Sequence, residues 1–362
     1  MQPATRTITF DGAVHTVSPY ASCTPAMSRA KADHAPQPVP KMLLDDGYHM
    51  YIQGALLRSG LRGGLTRLAT EYAKNAGRMV TLKEANLLRL GGVKQKGGET
   101  TLSPVALAEA LRKNPVLSLF GASTPWIRGK LMVGHAVDDR VIDPAVWGPL
   151  ITDGVRSDPF RRDPEFIQWL DANALQDLEA QSEKVKEWAR EKKEIEALKK
   201  AASAEKSAEL RTQLRKALKD REQASSASMH IVSTLMPLDG FESIPQGAEL
   251  SHRMRLVNAT TREIGAMLHA IAGLGRSPLG AHGATGNGEI SAKWAVREGN
   301  HILGVVGLAT FEDVYITDAD PENPVLTSAF NTFQAELSGT DLDFHDDAFA
   351  QLAPEADGDD ED

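Results

Sequence analysis

The chain has 362 residues, 41% of them apolar and 25% charged, an ordinary balance for a globular protein with room for a sizeable core and two or three domains. Its formal charge is -9, yet ten of the 49 acids fall from Asp341 onward with no Lys or Arg among them, so the rest carries 39 acids against 40 bases. The acidity belongs to the tail and does not exclude an anionic partner, because a near-neutral body can present a basic face. Cys23 is the only cysteine, which excludes an internal disulfide or a multi-cysteine metal cluster and fits a reducing cytoplasm. No segment approaches the length of a membrane span, so a cytoplasmic protein without a membrane partner is expected.

In chain order, residues 6–17 alternate as a strand through Ile8, Phe10, Val14 and Val17, with a bulge expected near Asp11 and Gly12. Residues 18–40 form a loop with five prolines. A short strand ending near Ile52 leads through a glycine-interrupted turn into a helix with Leu61, Leu65, Leu68 and Tyr72 on one side. Arg58, Arg62 and Arg67 crowd its start beside Gly60, Gly63 and Gly64, which reads as an anion site at a helix N-terminus. Residues 82–90 and 104–113 look helical, with a flexible basic loop of glycines and lysines between them. Residues 116–137 contain an apolar stop, a turn and a strand entered by Arg128 and Lys130.

Residues 165–222 are rich in Ala, Glu, Lys, Leu and Arg, a helical composition with a narrow apolar stripe that fits an inserted helical hairpin. Strands are expected at 230–235 and 251–257, with a turn around Met236, Leu238 and Phe241, and a helix at 260–274 faced by Ile264, Met267, Leu268 and Ile271. Two more strands, 290–296 and 301–316, follow. Between that helix and those strands lies the most distinctive stretch, residues 278–290. Gly280, Gly283, Gly286 and Gly288 surround His282 and Asn287 there, a spacing that can turn backbone N–H groups toward a phosphate oxygen. An ordinary long turn is the plain alternative. Beyond Pro354 the acidic tail has the composition of a disordered segment.

Common nucleotide-binding, hydrolase and zinc-protease motifs are missing, and the ten histidines show no metal-ligand spacing. Three segments in order resemble the RAMP superfamily of CRISPR-associated proteins, specifically the repeated backbone subunit of Class 1 effector complexes. They are 51–67 (Tyr-Ile-Gln-Gly-Ala-Leu-Leu-Arg through Leu-Arg-Gly-Gly-Leu-Thr-Arg), Leu119-Phe120-Gly121 followed by Gly129-Lys130-Leu131, and the glycine-rich 279–288. With Asn258 to Gly265 before it, that last segment looks most like the type IV branch.

The resemblance implies an α+β fold: a modified RRM/ferredoxin-like palm with finger and thumb insertions and a largely helical insertion. On that reading 1–78 is the first part of the palm, 79–118 a finger-like insertion, 119–152 a palm strand and connector, and 153–224 the helical insertion. A thumb-like segment at 225–250 would carry Met236, Leu238 and Phe241 as wedges between bases; the second palm part is 251–325 and the C-terminal segment 326–362. The implied function is a non-catalytic subunit that oligomerises along a CRISPR guide RNA and presents it for target pairing beside other effector-complex subunits. The expected RNA contacts are Arg58, Arg62, Gly63, Arg67, Arg128, Lys130, Gly280, His282, Gly283, Gly286, Asn287 and Gly288, groups that grip phosphate and shape rather than sequence.

Type III relatives carry an acidic residue in the loop after the first strand that cuts target RNA. Asp33 with His34, or Asp45 and Asp46, keep that metal-dependent ribonuclease as the alternative, although spacing back from Ile52 puts the matching position near Pro38. A third reading treats the chain mainly as a helical adaptor acting through 165–222.

Overall fold

The structure is a computed structural model that describes residues 5–22, 36–75, 77, 82–91, 104–123, 126–143, 145–152, 240–309 and 314–337, with scattered positions between 180 and 197. The chain divides into two compact units, one of 1–32, 37–152 and 241–362, the other of 33–36 and 153–240. In the second unit the described positions between 180 and 197 are helical, with Ile195 buried.

The first unit is α+β, built on one large antiparallel sheet. Its strands are β1 (Arg6–Thr16), β2 (Lys41–Leu44), β3 (Gly47–Ile52), β6 (Leu131–Val133), β7 (Ala136–Asp138), β10 (Glu249–Ala259), β11 (Ile290–Glu298), β12 (His301–Leu308) and β13 (Val314–Asp318). The order across the sheet is β13-β12-β11-β1-β10-β7-β3-β2, with β6 also on β10. Two small hairpins stand apart: β4 (Ala122–Ser123) with β5 (Trp126–Ile127), and β8 (Leu150–Thr152) with β9 (Phe241–Ser243). With β2 and β3 set aside, the strands and the helices at Gly54–Asn75 and Thr261–Leu274 alternate strand, helix, strand, strand, helix, strand, and β11-β1-β10-β6/β7 is a four-strand centre extended at both edges.

Alternation decides the faces. Ile8, Phe10 and Val14 of β1, Leu250, Met254 and Leu256 of β10, and Ala292, Trp294 and Val296 of β11 are buried together, while the residues between them point the other way. The expected bulge at Gly12 is absent: β1 pairs without a break through Asp11, Gly12 and Ala13, and its register shift lies between Arg6 and Ile8.

Helices α1 (Gly54–Asn75), α5 (Thr261–Leu274) and α6 (Val325–Leu337) cover the buried face. The glycine-interrupted turn expected before α1 is helix. Its glycines answer tertiary contacts: a Cβ on Gly54 would meet the carbonyls of Val133 and Gly134, and one on Gly64 would fall 2.8 Å from the Gly273 backbone. α1 and α5 therefore touch backbone to backbone. The N-terminus of α1 is satisfied by His135, whose Nδ1 accepts from Gly54 N–H at 3.0 Å.

α5 begins in a capping box between Thr260 and Glu263, and Glu263 also accepts from Ser118 Oγ and Lys130 Nζ. Asp318, at the end of β13, accepts from the N–H groups of Leu326 and Thr327 and so starts α6, which lies against Gly265 of α5. Between α1 and β6 come α2 (Leu82–Leu90), α3 (Pro104–Lys113) and α4 (Pro115–Phe120), which share a small apolar cluster of Leu87, Leu107, Ala110 and Leu117.

The α1–α5 crossing yields a contrast within one turn of helix. Gly64→Val forces the two backbones apart and should cost about 1–3 kcal/mol. Gly63→Ala, where a Cβ meets nothing within 4 Å, should gain about 0.5–1 kcal/mol from helix propensity. Urea denaturation measures both, and a Gly64→Val protein as stable as the parent would show that the crossing is not tight.

Candidate nucleic-acid interface

The sheet face turned away from the helices carries exposed charge without an ion-pair partner among the described residues. Strands placed directly opposite share a face, so the register assembles rows across it. One row reads Met132, Arg255, Thr9, Arg297 and Ile302; the next Arg253, Asp11, Ala295, Val305 and Thr317; the next Val137, Ser251, Ala13, Lys293, Gly307 and Tyr315. Arg253, Arg255, Lys293 and Arg297 are all exposed.

Arg253 gives Nη2 to Asp11 at 2.8 Å, and that bond first, with the neighbouring Arg297 charge, holds the Asp11 carboxyl below its ordinary range. Among the described residues Arg255, Lys293 and Arg297 have no carboxylate partner. Small side chains at Ala13, Ala295 and Ser251 leave the face low between these cations. The sequence reading missed them, although Arg253 with Arg255 on β10 and Lys293 with Arg297 on β11 stand at the even spacing that puts side chains on one strand face.

The structure sorts the expected arginines differently. Arg58 and Arg62 lie in the second and third turns of α1, not at its N-terminus. Arg58 is half-buried, with Nη2 donating to the Phe120 carbonyl at 2.7 Å, and burial pulls its pKa down. Arg62 is 8% exposed; Nε donates to the Leu88 carbonyl and Nη2 to that of Leu87 at 2.8 Å, so it caps the C-terminal end of α2. Burial, with Arg58 nearby, brings Arg62 to about 10. A guanidinium spent on helix carbonyls is not offered to a phosphate, and Arg62 is corrected to a structural role. Lys130 is likewise engaged, its Nζ 2.6 and 2.7 Å from the two Glu263 oxygens.

Arg67 is exposed and donates to Ser277 Oγ at 3.0 Å, which puts it beside the start of the glycine loop. Arg128 is exposed between β5 and β6. Gly63 lies in the α1 interior.

Within the loop Gly280, Gly286 and Gly288 are left-handed, and a Cβ on Gly280 or Gly288 would strike the carbonyl of Ala21 or Leu279. Most of its N–H groups are used inside the fold. Leu279 donates to Gly288 O, Ala281 to Ala21 O, Gly288 to Pro19 O and Glu289 to Ser18 Oγ, while Thr285 and Asn287 both donate to His282 O. Asn287 is buried, with Nδ2 on Thr285 Oγ1, and Gly283 opens a single 3-10 turn. The loop is thus an Ω-like turn packed on residues 18–22 that uses most of its N–H groups internally, those of Gly280, His282, Gly283 and Ala284 lying outside these bonds.

The structure brings two expected site residues together: the His282 ring stacks on Phe241 with centroids 3.9 Å apart. Met236 and Leu238 lie outside the described residues, as does Asp33. Asp45 is exposed on the β2–β3 turn, and Asp46 accepts from His49 Nε2 at 2.8 Å. Among the described residues no group of three or more His, Cys, Asp and Glu could hold a metal ion, and no helix is long and apolar enough to cross a membrane.

No family model matches the sequence, and no curated protein matches it. Among solved structures, the chain is similar to one described as "Type IV-B CRISPR Complex", at 14% identity over 80% of this chain and 90% of that chain, with a TM-score of 0.42. A likeness this loose carries no functional argument.

Asp46 and His49 generate a pH prediction. The Asp138 carbonyl accepting from Nδ1 raises the His49 pKa above its ordinary 6.5, burial opposes it, and Asp46 on Nε2 adds to the rise. The bond to His49 lowers the Asp46 carboxyl in turn. The histidine's contribution is complete below about pH 6.5 and is lost as pH rises through the raised value, whereas that of Asp46 fades only as pH falls through its lowered one. Melting temperature should therefore decline between about pH 6 and pH 9, and less so in Asp46→Asn. Parallel curves for the two proteins would remove the pair from the stability of this hairpin.

Proposed function

We propose that this chain is a guide-RNA-binding backbone subunit of a Class 1 CRISPR effector complex, of the type IV kind, acting in the cytoplasm. It is non-catalytic, repeats along the guide as a homo-oligomer, presents the guide for pairing with a target nucleic acid, and contacts other effector-complex subunits. The sequence resemblance through residues 51–67, 119–131 and 279–288 supplies the family. The single observation that carries RNA binding is the sheet face with Arg255, Lys293 and Arg297 exposed and, among the described residues, in no ion pair with a carboxylate, over small residues at Ala13 and Ala295.

The strand order β11-β1-β10-β6/β7 with α1 and α5 on one side supports reading the first unit as an RRM/ferredoxin-like palm. Strands β2–β3 and β12–β13 widen it at the two edges, and α2 to α4 take the place of the finger. Arg67, Arg128 and the His282–Phe241 stack are retained as further contacts. Cations on a strand face bind phosphates without reading bases, which suits a subunit that must accept any guide sequence.

Arg255→Glu with Arg297→Glu tests the proposal, because both side chains are exposed and neither supports the fold. RNA co-purifying with the parent should be lost from the double variant. On a repeat-derived single-stranded RNA, the slope of log affinity against log salt should shrink by about 0.7 for each phosphate contact removed. A double variant that retains full-length guide with an unchanged slope would overturn the reading.

A further inference from the structure

Tyr315 ends the row that contains Lys293 and Gly307, on the side of the sheet away from the helices. A Cβ on Gly307 would fall 1.7 Å from Cζ of Tyr315 and 2.1 Å from both Cε1 and the hydroxyl oxygen. The ring carbon is closer than either of its substituents, so the ring lies flat across the glycine, not edge-on to it. One face of the phenol is covered by backbone and Tyr315 remains 46% exposed. An exposed Lys293 flanks the glycine on its other side, one strand further in.

A flat aromatic ring fixed on a rigid strand, open on its upper face and beside a free ammonium group, matches the two halves of a nucleotide. The ring offers a surface of the size and polarity of a base, and the ammonium a partner for the adjoining phosphate. β13 is outside the four-strand centre, so this surface extends the basic face toward the sheet edge.

We propose that Tyr315, backed by Gly307, is a stacking platform for one unpaired base of a single-stranded RNA, with Lys293 holding the phosphate next to it. The proposal rests on the RNA-binding reading above and adds to it a subsite selective for unstacked bases. A duplex, whose bases are already stacked inside, engages only the cations.

The test uses the full chain, a fluorescein-labelled repeat-derived single strand and the same strand annealed to its complement. Tyr315→Leu keeps an apolar cover on Gly307 but has no ring. It should bind the single strand about 5- to 150-fold more weakly, the equivalent of about 1–3 kcal/mol for one stacked base, with the salt slope and melting temperature of the parent. Its affinity for the duplex should not change, and Tyr315→Phe should bind the single strand as the parent does.

Equal binding of the single strand by Tyr315→Leu and parent would overturn the platform. So would equal weakening toward single strand and duplex, which would mean that the ring only shields a sheet glycine. A loss in Tyr315→Phe as large as that in Tyr315→Leu would also overturn it, by moving the effect to the hydroxyl. Failure of the underlying RNA-binding reading is distinct: the parent itself would hold neither RNA.

Discussion

The backbone contact between Gly64 and Gly273 sets the geometry of the whole first unit. Two helices can lie side by side on one face of a sheet only if their spacing suits the strands beneath, and here the spacing leaves no room for a Cβ at either glycine. Gly265 repeats the device between α5 and α6, where a Cβ would meet the Ala329 carbonyl. Three helices thus share a single layer over Phe10, Met254 and Trp294. With all three on one side, no described helix packs on the opposite face of β1, β10 and β11, and the charges on it follow from strand alternation.

The arginines of the first unit divide by what their guanidinium groups meet. Arg62 meets the carbonyl end of α2, Arg58 meets the Phe120 carbonyl, Arg262 pairs with Glu336 at 2.5 Å, and Arg140 lies over the Trp147 ring while holding the fully buried Asp138. Each is engaged with the fold, and a partly buried cation with satisfied donors gains little by turning to a ligand. Among the described residues Arg255 and Arg297 have none of these anchors. A free cation in water loses little when a phosphate replaces its hydration, and the entropy of released counterions favours the exchange. Overall charge says nothing of this sorting, since an acidic chain can keep its unpaired bases on one face.

Much of the fold was legible where the pattern is local. The strands around Phe10, Arg253 and Trp294 and the helix from Thr261 show their periods directly, and the Thr260–Glu263 capping box lies within four residues. The start of α1 was misread because its glycines carry turn chemistry in isolation; the reason they sit in a helix is Gly134 and Gly273, far along the chain. α6 was passed over although Leu326, Ala329, Phe333 and Leu337 stand at helical spacing, because its start signal, Asp318, belongs to the preceding strand. Arg62 reads in sequence as part of an anion site because the helix end it caps is 26 residues away. The cations of β10 and β11 were visible singly, but only the shared register on β1 puts Arg255 and Arg297 in one row.

The glycine-rich loop shows why composition alone could not locate the site. Three left-handed glycines do raise the supply of directed N–H groups, but a loop that packs against residues 18–22 uses most of its N–H groups as it folds. Beside the loop lie the His282 ring, stacked on Phe241, and Arg67, which reaches Ser277. The loop leads into β11 at Ile290, at the end of the ladder where His15 meets Ser291, while Lys293 and Arg297 follow along the same strand face. Its structural task and any contact with a nucleic acid are therefore separable. The backbone orders the entry to β11, and the ordered strand then displays Lys293 and Arg297 on its exposed face.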